Sequence, residues 1–122
     1  MTRETIKVVD KLIELTQHNE LSWESSEPPY NLTSPDVRID LVYTTYYLNR
    51  YIRIYQKNYK YYIDDVQYTW DSRIVFEFID ESGNSLWQFP QTNNAWDLLK
   101  AIQYQNSNVS DFYKEIFSKS AM

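Results

Sequence analysis

Residues 37–63, VRIDLVYTTYYLNRYIRIYQKNYKYYI, constrain the fold more than any other part of this chain. They are dense in β-branched and aromatic side chains and alternate in polarity, which suits a pleated surface. Tyr43, Tyr47, Tyr51, Tyr55 and Tyr59 recur every four residues. That step fits a helix face, but it is also even, so a strand places the tyrosines on one side within each element. Their neighbours are Ile, Thr and Tyr rather than Ala, Leu and Glu, which decides for strand. Asn49-Arg50 then predicts a tight turn between two antiparallel strands, 37–48 and 51–63.

That turn sets Leu48 opposite Tyr51, Tyr46 opposite Arg53, Thr44 opposite Tyr55 and Val42 opposite Lys57. Alternation then divides the hairpin. Ile39, Leu41, Tyr47, Ile52 and Ile54 are expected to line a core beneath helices. Tyr46, Tyr51, Arg53, Tyr55, Lys57, Tyr59 and Tyr61 are expected on an outer aromatic and basic face.

The rest of the chain supplies what such a hairpin packs on. Residues 3–18 place Ile6, Val8, Val9, Leu12, Ile13 and Leu15 on one half of a helical wheel, and Asn19 suits the helix end. LSWE at 21–24 reads as a short strand. Residues 25–36 carry Pro28, Pro29 and Pro35 and few apolar groups, which predicts a mobile loop. Asp64-Asp65 ends the second long strand, and 66–70 reads as a further short or edge strand. RIVFEFID at 73–80 is the strongest strand, turned at ESGN by the only glycine and answered by SLWQFP at 85–90. Helices follow at 95–105 and 109–118. At 122 residues this is one domain, 1–122, of the α+β class: a single antiparallel sheet of four to five strands, with an N-terminal and two C-terminal helices packed on one face.

Residues 72–105, SRIVFEFIDESGNSLWQFPQTNNAWDLLKAIQYQ, carry an acidic hairpin turn, an LWQFP strand and an LL-x-AI helix. In this pattern the chain resembles small uncharacterised bacterial domains of a kind common in cyanobacteria. The likeness extends over about two thirds of the chain as a pattern of elements. It implies the fold, and no activity or functional residue transfers with it.

Composition narrows the chemistry. There is no cysteine, so disulfides, thiolate nucleophiles and cysteine-held zinc are excluded. One glycine cannot build a phosphate-cradling loop. His18, the only histidine, falls on the polar arc of the first helix, which leaves no Ser-His-Asp set. Asp64, Asp65, Asp71, Asp80 and Glu81 sit where turns need them and form no Asp-x-Asp-x-Asp loop for a hard cation. No enzyme activity, cofactor or metal is therefore expected. No apolar run approaches the roughly 18 residues that span a bilayer. Acids near the start break any signal-like run, so a cytoplasmic location is expected.

Function then falls to the tyrosine face. The net charge is −5, yet 49–63 hold Arg50, Arg53, Lys57 and Lys60 and no acid, so the remainder carries −9. Tyr, Thr, Arg and Lys form good cross-strand ladders on a solvated sheet, which is the plain structural reading. The functional reading is a non-enzymatic interaction or regulatory module that packs these tyrosines against a protein partner or a second copy. The alternative is stacking of single-stranded nucleic acid, which also uses aromatics interleaved with cations but meets an acidic chain here. A small-molecule pocket lined by Trp96 and Tyr47 has no support beyond aromatic content.

Overall fold

The computed structural model describes residues 2–120. Helix α1 (Thr2–Gln17) leads into β1 (Glu24–Ser26), a 3₁₀ turn (Tyr30–Leu32) and β2 (Val37–Arg38). Strands β3 (Val42–Tyr47), β4 (Arg50–Tyr62), β5 (Tyr68–Ile79) and β6 (Ser85–Gln88) follow, then helices α2 (Ala95–Asn106) and α3 (Val109–Ser120). The class is α+β, with one antiparallel sheet ordered β1-β3-β4-β5-β6. The strand count exceeds expectation because segment 37–48 divides into β2 and β3.

β4 is the spine. It pairs with β5 from Tyr51↔Ile79 to Tyr62↔Tyr68. On its other edge β3 covers Arg50–Tyr55, and β2 takes over at Asn58 and Tyr59. Segment 37–48 is thus two strands rather than one, because its ends serve different stretches of the same edge. The step between them buries Ile39 against Val42 and Tyr55, on the face away from the helices, and leaves Leu41 exposed. Both had been expected in the helix-side core.

The β3–β4 turn is Leu48-Asn49, with φ of 51° and 64°. Two consecutive left-handed residues match the type I′ turn that a two-residue hairpin favours. Tyr46 pairs with Tyr51 and Thr44 with Arg53, a two-residue shift from a turn at Asn49-Arg50. Since side chains alternate with period two, the shift leaves the residues of β3 and β4 on their expected faces.

The helix-side core joins Val9 and Leu12 of α1, Leu98, Leu99 and Ile102 of α2, and Trp23, Tyr43, Ile52, Ile54, Ile74 and Phe76. The buried stripe of α1 is Thr5, Val9, Leu12 and Thr16, so Ile6 and Val8 remain exposed. Thr16 belongs there because its hydroxyl donates to Leu12 O at 2.7 Å and accepts the Trp23 indole N–H at 3.0 Å. Asn19, at φ 57°, ends α1 while Glu20 N donates to Leu15 O. Side-chain amides bind α1 to α2 at both ends. Asn94 Nδ2 donates to Ile6 O and Asp10 Oδ1, and Gln105 Nε2 to Thr16 O and Leu21 O. α3 leaves α2 through left-handed Asn108, and no side chain of residues 110–119 is buried.

Leu48 is the strained member of the turn, since a left-handed conformation costs a non-glycine residue about 1–2 kcal/mol. Leu48→Asn, which tolerates that conformation, is expected to stabilise the fold by about 1 kcal/mol. Urea denaturation with an unchanged m-value checks this.

Candidate interaction surface

The seven residues expected on the outer face do share it, but they are not all exposed. Arg53 and Tyr55 are buried, at 3% and 5% exposure. Their expected role as contact residues is corrected by what lies over them. Tyr55 packs with Ile39, Val42 and Val75 into a second core cluster, closed by Leu32 and Val37. Segment 25–36, expected as a loop, carries β1, the 3₁₀ turn and a Ser34↔Val37 bridge, and it delivers Leu32 onto this face.

Arg53 stands opposite Glu77, itself 3% exposed. The guanidinium donates from Nε and Nη2 to Glu77 Oε2, each at 2.8 Å. Its Nη1 donates to Gly83 O at 3.2 Å, which ties the buried pair to the β5–β6 turn. Gly83 takes φ 87°, a conformation glycine enters without strain. Burial, and then the Glu77 charge, push the Tyr55 phenol up to about 12, against the opposing pull of Arg53 and Arg73.

The buried centre separates two exposed groups. At one end Tyr46 and Tyr51 pair across strands with ring centroids 4.8 Å apart. At the other, Lys57 faces Arg73, Tyr59 donates to Asp71 Oδ2 at 3.4 Å, and Tyr61 is exposed.

The opposite side of the hairpin holds what sequence reasoning missed. Past Ile54 and Ile74, helix-side positions change from aliphatic to polar. Gln56 Nε2 and Ser72 Oγ both donate to Asn58 Oδ1, at 2.9 and 2.7 Å. Beyond this polar border lie Tyr62, Tyr68 and Trp70, all exposed. Lys60 Nζ sits 4.3 Å from the Tyr68 centroid, and Arg38 Cζ sits 4.6 Å from that of Trp70. Tyr62 donates its phenol to Asp36 Oδ1 at 3.0 Å, and that bond is the main reason its pKa is raised. Lys60 reaches the same carboxylate at 3.5 Å. The signal was present in the sequence: the run Gln56, Asn58, Lys60, Tyr62 cannot line a core.

The two hairpin ends are set by aspartates. Asp64 Oδ1 accepts from Val66 N and Gln67 N, and Asp80 Oδ1 from Ser82 N and Asn84 N. These backbone bonds hold both carboxyls below the ordinary carboxylate range. Along β5, Phe76 O and Ile74 O accept from Phe89 N and Gln91 Nε2, on the side away from β4. Past Gln91 no strand among the described residues neighbours that edge. Asp71 Oδ1 there accepts from Ser72 N at 2.8 Å, and Thr69 Oγ1 donates to Trp70 O at 3.3 Å.

Glu77→Ala leaves the Arg53 charge buried and is expected to cost about 3–5 kcal/mol, most of it recovered in Arg53→Met/Glu77→Leu. Urea denaturation of the two variants measures this. The native Tyr55 phenol ionises near 12. An unfolded tyrosine ionises near 10, so the unfolded state sheds its proton first and stability falls as pH rises between those values. The fall attributable to Tyr55 is expected to be about 2–3 kcal/mol, and Tyr55→Phe should remove it from the alkaline stability curve.

Two depressions lie away from the hairpin tip. A groove of about 770 Å³ runs between the three helices past Thr16, Asp97, Tyr104, Gln105 and Lys114. A smaller one of about 240 Å³ lies between Tyr43, Asn58 and Leu99. Trp96 and Tyr47 line neither. Among the described residues no three or more His, Asp or Glu side chains group so as to hold a metal ion, and no helix is long and apolar enough to cross a membrane. No protein-family model matches the chain, and no curated protein or solved structure shows significant similarity to it.

Proposed function

We propose that the chain is a small, non-enzymatic, cytoplasmic interaction module that binds a protein partner with the projecting end of the β4–β5 hairpin. The supporting observation is the ladder of Tyr62, Tyr68 and Trp70 with Lys60 and Arg38 seated against the rings, beyond the last buried residues of the sheet. Large side chains with few rotatable bonds contribute contact area at small entropic cost, which is why tyrosine, tryptophan and arginine dominate binding hot spots. Each ring is already partly fixed by its neighbours, so little order remains to be lost on binding. Tyr61 and Tyr59 extend the surface to the other face of the same hairpin.

Charge favours protein over nucleic acid. Around the tip Arg38, Lys57, Lys60 and Arg73 are matched by Asp36, Asp64, Asp65 and Asp71. A surface with no net charge does not attract a phosphate backbone, whose binding rests on displaced counterions.

A photo-crosslinking amino acid placed at Tyr62 or Tyr68 is expected to capture a discrete protein in cells, whereas the same residue at exposed Gln17 captures none. The adduct should survive nuclease treatment and fall at least ten-fold in a Trp70→Ala/Lys60→Ala background. Equal capture from Gln17, or adducts that vanish with nuclease, would sink this reading.

A further inference from the structure

On the side of β5 away from β4, side chains of this chain take up some of the backbone groups that no strand pairs. In an antiparallel ladder the N–H and C=O of one residue point to the same side. Phe76 and Ile74 direct theirs away from β4, as their bonds to Phe89 N and Gln91 Nε2 show. By alternation Ser72 and Trp70 do the same. These groups should stand open, because β6 pairs only as far as Glu77 and Phe89–Gln91 extend its reach to Ile74. Instead Asp71 takes Ser72 N–H at 2.8 Å, Thr69 covers Trp70 O at 3.3 Å, and Gln91 covers Ile74 O at 2.7 Å. One backbone group at each of three successive outward positions is thus met by a polar side chain.

We propose that Asp71 and Gln91 hold this edge closed against a second copy of the chain, which would otherwise pair its own β5 here in antiparallel fashion. The fit to a second copy follows from the sequence of the edge. A two-fold pairing centred on Ser72 sets Asp71 directly opposite Arg73 of the other copy, twice, over the short stretch beyond Gln91. Opposite charges facing each other across strands favour that register. The Asp71 carboxylate therefore has two competing partners: its own neighbour's N–H, which closes the edge, and a copy's guanidinium, which opens it. In the isolated chain the intramolecular bond wins, since it forms without the entropic cost of bringing two chains together. This inference concerns pairing between copies and stands apart from the partner reading of the aromatic ladder.

The test is the molar mass of the purified chain from about 1 to 500 µM, by sedimentation equilibrium, for three variants. Wild type is expected to run as a monomer through the low-micromolar range. Gln91→Ala uncovers Ile74 O while leaving Asp71 free to exchange Ser72 N–H for the Arg73 of a second copy, and it is expected to tighten self-association at least ten-fold. Adding Ser72→Pro to that variant removes the one N–H at the centre of the pairing, spares the backbone bonds to β4 and gives up the Ser72 Oγ bond to Asn58, and the mass should return to that of a monomer. Circular dichroism at each step confirms the fold. An uncapped variant that associates no more tightly than wild type overturns the proposal. So does association that Ser72→Pro leaves intact, since it would then run through the exposed rings rather than the strand edge.

Discussion

A mismatch in length between strand and helix governs this molecule. β4 has 13 residues and β5 has 12, so at about 3.3 Å per residue the hairpin is about 40 Å long. α1 has 16 residues and α2 has 12, and at about 1.5 Å per residue they span only about 24 and 18 Å. Two helices of that length cannot roof the whole hairpin. Buried apolar residues occupy the roofed part, Ile52 and Ile54 with Ile74 and Phe76, and amides and exposed rings occupy the rest. The projecting end is thus a geometric necessity, and the choice of aromatic and charged side chains on it is what gives it a chemical character.

The face away from the helices meets the same constraint with less material. No helix covers it, so the chain folds its proline-rich segment back and lays Leu32, Val37 and Ile39 over Tyr55 and Val75. This small cover is completed by a charge pair instead of more aliphatic groups. Arg53 and Glu77 face each other across strands, and Gly83 O takes a further guanidinium N–H. Such a pair adds little net stability over a well-packed apolar pair, because desolvation offsets most of its attraction. What it adds is discrimination: a slipped β4–β5 register would leave both charges buried and unmatched.

Much of the architecture was legible because alternation is a strict rule. The assignment of side chains to the two faces of β4 survived an incorrect turn position, since an error of two residues preserves parity. Exposure was less legible, because a face is not the same thing as a surface. Arg53 and Tyr55 sit on the expected side, yet segment 25–36 carries so few apolar groups that nothing local marks Leu32 as part of a lid. Only their placement opposite Tyr55, set by β2 pairing with β4, makes Leu32 and Val37 a cover. The ladder at Tyr62, Tyr68 and Trp70 was hidden for the converse reason. Its face carries the core for half its length; the run Gln56, Asn58, Lys60, Tyr62 marks where that core ends, but which rings gather beyond it is set by the β4–β5 register.

The amide bridges between the first and second helices also bear on the order in which the chain organises itself. Asn94 reaches Ile6 O across a separation of 88 residues, and Gln105 reaches Thr16 O across 89. α1 is made before all the strands, yet it docks on α2, which is made after them. Until then its apolar stripe and Trp23 have only partial cover, because the α2 side of their core does not exist. The β3–β4–β5 meander, built from neighbours in sequence, closes at far lower loop entropy. Folding of this domain is therefore a late event in its own translation, with α1 as the waiting piece.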